Sequence, residues 1–217
     1  MRLLLVLLFL TQPFPAPGER TKLEKIGPLS DTTIFQEVRG ALQSEGYRIV
    51  GEDGGVICEI WLRDEVPVSD ASRVFGVIYQ QLHESVLVGV MSFPEGSSDY
   101  RGQSIRSGVY TLRYELLRND GNHMGVAPAR DFVLLLPVET DTSVTARLTY
   151  DELVSQSKMV TGTNHPAVFS LTYPEFEDEL PRVYEDYEGH LIFLLNMKTH
   201  KGEQVPIALV IVGEAEQ

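Results

Sequence analysis

The sequence is poor in cysteine, since Cys58 is the only one in 217 residues. A single cysteine excludes an intrachain disulfide. Its position far from the N-terminus also excludes the acylated cysteine of a bacterial lipoprotein. Cys58 alternates at strand spacing with the apolar residues Val56, Ile60 and Leu62. This pattern predicts a small core residue on the buried face of a strand rather than a reactive thiol.

Positive charge is also scarce. Lysine and arginine total 18, against 31 aspartates and glutamates, which gives a formal net charge of −13. An acidic protein repels the phosphates of nucleic acids and the anionic surfaces of membranes. The composition therefore argues against nucleic acid and anionic lipid as partners, and solubility accounts for the charge.

Long hydrophobic runs are absent as well. The most apolar run of the C-terminal half, Val205 to Val212, is far shorter than the roughly 20 residues of a membrane-spanning helix. Its length suits a buried strand. The sequence therefore predicts no membrane span.

The N-terminal residues follow the order of a secretory signal peptide. Arg2 precedes the apolar run Leu3 to Leu10, and a polar, proline-rich stretch follows. We expect residues 1–20 to be a signal peptide that is cleaved between Ala16 and Lys22. Residues 21–217 are then expected to form a single mainly-β domain, exported to the periplasm or the extracellular space.

The common catalytic signatures are missing. The sequence contains no phosphate-binding loop, no dinucleotide-binding glycine pattern, no H-E-x-x-H zinc motif and no G-x-S-x-G nucleophile elbow. Ser155 and Lys158 match S-x-x-K, but the S-D-N and K-T-G motifs that accompany it in penicillin-binding enzymes are absent. We therefore interpret this segment as the surface of a helix, and no familiar enzyme class is indicated.

Strand periodicity dominates the rest of the chain. The clearest example is Gly108 to Leu117, where Tyr110, Leu112 and Tyr114 share one face while Thr111 and Arg113 share the other. A Glu-Asp-Gly-Gly turn predicts a hairpin between the first two strands. The predicted strands are 47–50, 56–62, 85–93, 108–117, 132–138, 167–173, 191–197 and 206–212.

Two helices are predicted outside these strands. Thr33 and Gln36 have capping-box spacing and predict a helix over residues 32–45, and Thr149 and Glu152 predict a second over residues 149–159. Because strands arrive in runs rather than alternating with helices, the pattern favours an antiparallel β-sandwich or curled barrel. We expect about eight or nine strands with two peripheral helices.

Polar side chains that could bind a ligand are concentrated in two loops. Loop 94–107 holds Asp99, Arg101 and Gln103, and Asn164 and His165 precede a later strand. Such groups on a rigid sheet can recognise sugar hydroxyls or a carboxylate. We predict that these five residues, called the lip below, bind a small molecule, a glycan or a peptide without a cofactor.

A metal site is the alternative. His123 and His165, with the carboxylate of Asp120 or of Asp99, would suit zinc, copper or iron. Loop 94–107 leads into strand 108–117 and loop 118–130 follows it, so these two loops lie at opposite ends of the strand. His165 can therefore join either Asp99 and Arg101 or Asp120 and His123, depending on whether residues 139–165 cross the sheet.

The acidic stretch from residue 175 to residue 188 lacks a calcium-loop pattern and predicts a solvated loop.

Five segments carry a family resemblance: Cys58 to Arg63, Asp99 to Gln103, Gly108 to Tyr114, Asp120 to Asp131 and Gly162 to Val168. In these segments the chain resembles a group of exported bacterial proteins with no assigned activity. The resemblance spans most of residues 21–217 and implies export and a β-rich fold. It implies no catalytic residues. The sequence therefore favours an exported binding or structural module without catalytic activity, with a metal-dependent enzyme or metal-binding protein as the alternative.

Overall fold

The protein folds as one long antiparallel sheet. A computed structural model describes residues 21–70, 74–118, 129–176, 178 and 180–213. The strands are Lys22–Ile26 (β1), Gly46–Val50 (β2), Val56–Leu62 (β3), Leu87–Phe93 (β4), Ser97–Ser98 (β5), Ser104–Ile105 (β6), Gly108–Leu116 (β7), Asp131–Pro137 (β8), Val168–Thr172 (β9), Arg182–Glu185 (β10), Leu191–Lys198 (β11) and Gln204–Val212 (β12). The helices are Gln36–Gly40 (α1) and Tyr150–Thr161 (α2).

Ten strands form the main sheet, in the order β1-β2-β3-β4-β7-β8-β9-β12-β11-β10. The edge strands β1 and β10 contact each other, so the sheet is nearly closed into a barrel. The remaining strands, β5 and β6, pair only with each other. The predicted mainly-β curled barrel with two helices is confirmed, although the strands outnumber the expected eight or nine. Within the described residues, no helix combines the length and apolar character needed to span a bilayer.

The inward face of the sheet forms a packed apolar core. The alternation predicted for β7 is confirmed, because Tyr110, Leu112 and Tyr114 all belong to this interior cluster. Phe93 lies between Tyr110 and Phe169, with ring centroids 6.2 Å and 5.7 Å away. Cys58 is fully buried in the same cluster. Burial raises the pKa of its thiol, as expected for a core residue.

The outward face of β7 is polar but equally buried. Thr111 and Arg113 have no exposed surface, because residues 138–149, called the strap below, cross this face. Arg113 donates to both carboxylate oxygens of Asp141, from Nε at 2.7 Å and from Nη2 at 2.6 Å. Its remaining N–H groups donate to the carbonyls of Ser85, Ser143 and Ala146. All five guanidinium donors are therefore satisfied.

A second buried carboxylate holds the segment before β4 in place. Asp131 accepts hydrogen bonds from the backbone amides of Ile78 and Tyr79 at 2.8 Å and 2.9 Å, and from the hydroxyl of Tyr114 at 2.6 Å. The hydroxyl of Tyr79 in turn accepts from the amide of Ala208 at 2.8 Å. One carboxylate thus ties residues 78 and 79 to the end of the barrel.

The two helices differ in how well their capping signals predict them. The Thr149–Glu152 capping box is present at the start of α2, and Gly162 ends the helix in a left-handed conformation. The expected helix over residues 32–45 shortens to α1, with Phe35 at its N-cap position. Its cap fails because the hydroxyl of Thr33 donates to Asp31 at 2.6 Å.

Four strands were not predicted: the short pair β5 and β6, and two strands of the main sheet, β1 and β10. β1 lies in a stretch interpreted as a polar leader, and β10 lies in the acidic stretch interpreted as a solvated loop. Both are edge strands of the sheet, so neither carries the buried alternation that marks the inner strands.

We expect the Arg113→Met substitution to lower the free energy of unfolding by about 3–5 kcal/mol, because Asp141 would stay buried without its cation. Urea unfolding followed by circular dichroism measures this loss. The double variant Arg113→Met/Asp141→Leu should lose less than the sum of the two single variants, because it leaves no buried charge.

The control is Lys25→Ala, which breaks the exposed Lys25–Glu45 pair and should leave the unfolding midpoint unchanged. An Arg113→Met variant as stable as the wild type would show that the strap does not depend on this ion pair.

Candidate functional site

Asp99 organises the lip from inside the protein. Its side chain is fully buried. Oδ1 accepts from the backbone amides of Arg101 and Gln103 at 3.0 Å and 2.8 Å, and Oδ2 accepts from Gln103 Nε2 at 2.8 Å and from the amide of Val168 at 3.2 Å. Four hydrogen bonds saturate a carboxylate. The geometry therefore gives Asp99 a positioning role beneath the surface.

Gln103 joins the two lip loops directly. Its Nε2 also donates to the carbonyl of Pro166 at 3.0 Å, and its Oε1 accepts from the hydroxyl of Thr163 at 2.6 Å. Thr163 in turn accepts from the backbone amide of His165 at 3.0 Å. The predicted loop 94–107 and the predicted Asn164–His165 loop are therefore one connected structure.

Arg101, Asn164 and His165 are the exposed members of the lip. They flank the buried connection made by Asp99 and Gln103, on loops held at fixed positions. The structure brings all five predicted lip residues to one end of the sheet. Binding of a ligand by these residues stays a prediction.

The path of the chain explains why His165 lies with Asp99. The strap leaves β8 beside Tyr110 and runs along β7 past Arg113. Helix α2 begins at the far end of β7, where Arg118 contacts Asp151, and its 12 residues, about 18 Å long, return the chain to the lip. Residues 138–161 thus cross the sheet twice.

The alternative metal site cannot be assembled from the described residues. Asp120 and His123 fall in residues 119–128, which lie outside them. The strand residues on either side of this segment, Leu116 of β7 and Asp131 of β8, pair with each other at the end of β7 that is farther from the lip. The grouping of His123 with His165 and Asp120 around zinc, copper or iron therefore stays a prediction.

A cleft opens on the outer surface, away from the lip. It has a volume of about 290 Å³ and lies between the strap, the end of β3 and the turn before β4. Arg63, Arg147, His83 and Glu84 supply its ionisable groups. The lining residues come from three separate segments and form no local motif, so no sequence pattern indicated this cleft.

Ser85 fixes the turn that forms one wall of this cleft. Its φ of 69° is unusual for a residue other than glycine. Three contacts hold it: its amide donates to the carbonyl of Tyr114, its carbonyl accepts from Arg113, and its hydroxyl oxygen accepts from the amide of Leu148 at 2.8 Å. A strained residue held on all sides is typical of a functional turn.

Next to the cleft, two glutamates form a carboxyl pair. Glu115 points outward from β7, has 1% of its surface exposed, and accepts from the amide of Leu116 at 2.9 Å. Burial, followed by the charge and hydrogen bond of Glu84, raises the pKa of Glu115 to about 7, although the Leu116 amide opposes the shift. The alternation of β7 placed Glu115 on the outer face, but nothing in it indicated burial there.

A further cluster lies at the C-terminal end of the acidic stretch. Asp186, Glu188 and His190 place one potential ligand atom each within 4.8 Å of one another. However, Asp186 Oδ1 accepts from the backbone amides of Glu188 and His190, and Oδ2 lies 3.1 Å from His190 Nδ1. These contacts close the hairpin between β10 and β11, which is a sufficient explanation of the cluster.

Known proteins add no assignment to this geometry. Comparison with models of protein families, with curated proteins and with solved structures gave no match. The resemblance to exported bacterial proteins therefore stays a prediction.

Asp99→Asn tests the positioning role of this carboxylate. An amide nitrogen would replace an oxygen that now accepts hydrogen bonds, and we expect a loss of about 1.5–3 kcal/mol in the free energy of unfolding. The amides of Arg101, Gln103 and Val168 should exchange with deuterium faster. The exposed Asp64→Asn is the matched control. Unchanged exchange at these three amides in Asp99→Asn would contradict the positioning role.

Glu115 should make stability depend on pH. Because its pKa rises from 4.5 to about 7 on folding, the native state binds the extra proton between these values. The stabilisation is complete below about pH 4.5 and is lost as the pH rises through 7. Urea unfolding midpoints should therefore favour Glu115→Gln over the wild type at pH 8 and converge at pH 4.5.

Glu95→Gln, at an exposed position, serves as the control and should follow the wild type at every pH. A Glu115→Gln variant that shows the same pH dependence as the wild type would rule out this carboxyl as its source.

Proposed function

We propose that this chain is an exported β-barrel binding module without catalytic activity, and that it recognises its ligand on the outside of the barrel. The observation that carries the proposal is the connected lip. Two loops meet through Asp99 and Gln103 and present Arg101, Asn164 and His165 to solvent. Loops fixed before binding cost little conformational entropy when a ligand arrives.

The chemistry of the lip indicates the kind of ligand. Arg101 supplies a planar cation for a carboxylate, and Asn164 and His165 supply donors and acceptors for hydroxyl or amide groups. A glycan, a peptide or a small molecule with such groups fits this set. The signal-peptide pattern of residues 1–20 supports export, which would bring the module into contact with cell-wall fragments or extracellular ligands.

The core supports a role in binding outside the barrel. The interior cluster consists of large side chains, such as Phe93, Phe169 and Phe193, which have at most 1% of their surface exposed. These side chains fill the space that a ligand would need inside. Recognition is therefore assigned to loops and outer surfaces.

Saturation-transfer NMR with soluble glycans, short peptides and cell-wall fragments tests the proposal. We expect at least one class to bind and to remain chemically unchanged. The double variant Arg101→Ala/His165→Ala should weaken binding about tenfold or more, which corresponds to the loss of about 1.4 kcal/mol. Arg118→Ala, at the far end of β7, should bind like the wild type.

Two results would overturn the proposal. Conversion of a ligand by the wild type, abolished in the lip variant, would make the protein an enzyme. Binding that the lip variant retains in full would place recognition elsewhere. Repeating the titration with EDTA and with added zinc, copper or iron separates the metal-dependent alternative, which requires the metal for binding or conversion.

A further inference from the structure

The cleft carries two arginines without acidic partners. Among the described residues, neither Arg63 nor Arg147 forms an ion pair with a carboxylate, a property that they share with Arg39, Arg101 and Arg106. Arg63 and Arg147 differ from those three in lining one cleft together. Two unpaired arginines in one cleft create a local positive potential.

Arg63 is the more constrained of the two. Its side chain is partly buried, and its Nη1 donates a long hydrogen bond to the carbonyl of Val144 at 3.5 Å. Burial, with a smaller contribution from the charge of Arg113, lowers the pKa of Arg63. Arg113 cannot share an anion with it, because all five of its donors bind within the protein. An anion in the cleft would offset the desolvation of Arg63.

The remaining lining selects the kind of anion. Glu84 places one negative charge against the two positive charges, so a monoanion balances the cleft better than a dianion. Pro67, Val86 and Val144 supply apolar surface, which inorganic anions cannot use. A volume of about 290 Å³ lies at the lower end of the range for ligand sites. Guanidinium groups match the planar fork of a carboxylate.

We propose that this cleft binds a small organic carboxylate, with the carboxylate on Arg63 and Arg147 and an apolar group against Val86 and Val144. The site is separate from the lip, since it adjoins the Tyr114 end of β7 while the lip adjoins the Gly108 end. Binding in the cleft does not depend on ligand binding at the lip.

The test is an NMR titration of the ¹⁵N-labelled protein with N-acetylalanine, a carboxylate with a small apolar group. We expect saturable shifts in the amides of Thr145, Ala146 and Arg147. Arg63→Gln should weaken binding about tenfold or more, as expected for the loss of a charge-assisted hydrogen bond. Arg147→Gln, at an exposed position, should also weaken binding and carries little risk of disturbing the fold.

The matched control is Arg106→Gln, which makes the same change of charge at an exposed position outside both the cleft and the lip residues and should leave the titration unchanged. Titrations with inorganic phosphate and with N-acetylalanine amide complete the set, and both should bind at least tenfold more weakly. Equal binding of either compound, or full binding by Arg63→Gln with an otherwise native spectrum, would overturn the proposal. Because the lip experiment uses different residues and ligands, its failure would leave this result intact.

Discussion

The buried ion pair between Arg113 and Asp141 is the interaction on which the outer surface depends. It joins the middle of β7 to the strap, and the same guanidinium fixes the carbonyls of Ser85, Ser143 and Ala146. Through these contacts it sets the start of α2, one wall of the cleft and the turn before β4. A buried pair of this kind adds little stability over an apolar replacement, but it specifies one arrangement. We interpret the role of this ion pair as the specification of one position for the strap on β7.

Buried acidic side chains hold several loops of the protein in place. Asp99, Asp131 and Asp141 are all buried, each accepts at least three hydrogen bonds, and each joins a loop to a strand. Such bonds are stronger than neutral ones because the acceptor is charged. Some of the acids that give the chain its negative charge therefore organise its own loops.

The sequence predicted the features that repeat locally and missed those that depend on distant contacts. Alternation located β7 and its inward face, and the Thr149–Glu152 spacing located the start of α2. No local pattern could show that Arg113 meets Asp141, 28 residues away, or that the outer face carrying Glu115 is buried. The two loops of the lip were predicted because the polar residues of each loop cluster in sequence, but whether His165 joins Asp99 stayed open, and the cleft draws on three segments. Asp99 was predicted as a ligand-binding residue, and only the three-dimensional contacts show that its hydrogen bonding is saturated within the protein.

The packed interior and the fixed outer segments of this fold bear on where a ligand could bind. The barrel interior is packed with aromatic and aliphatic side chains, so a ligand that entered it would have to displace them at a cost of several kcal/mol. On the outside, residues 138–166 pass from one wall of the cleft through α2 to the lip, and partly buried hydrogen bonds fix this segment at both ends. Rigid segments that hold polar groups at the surface are the arrangement that binding requires. The same hydrogen bonds that hold the outer segment in place therefore also position the surfaces on which a ligand would bind.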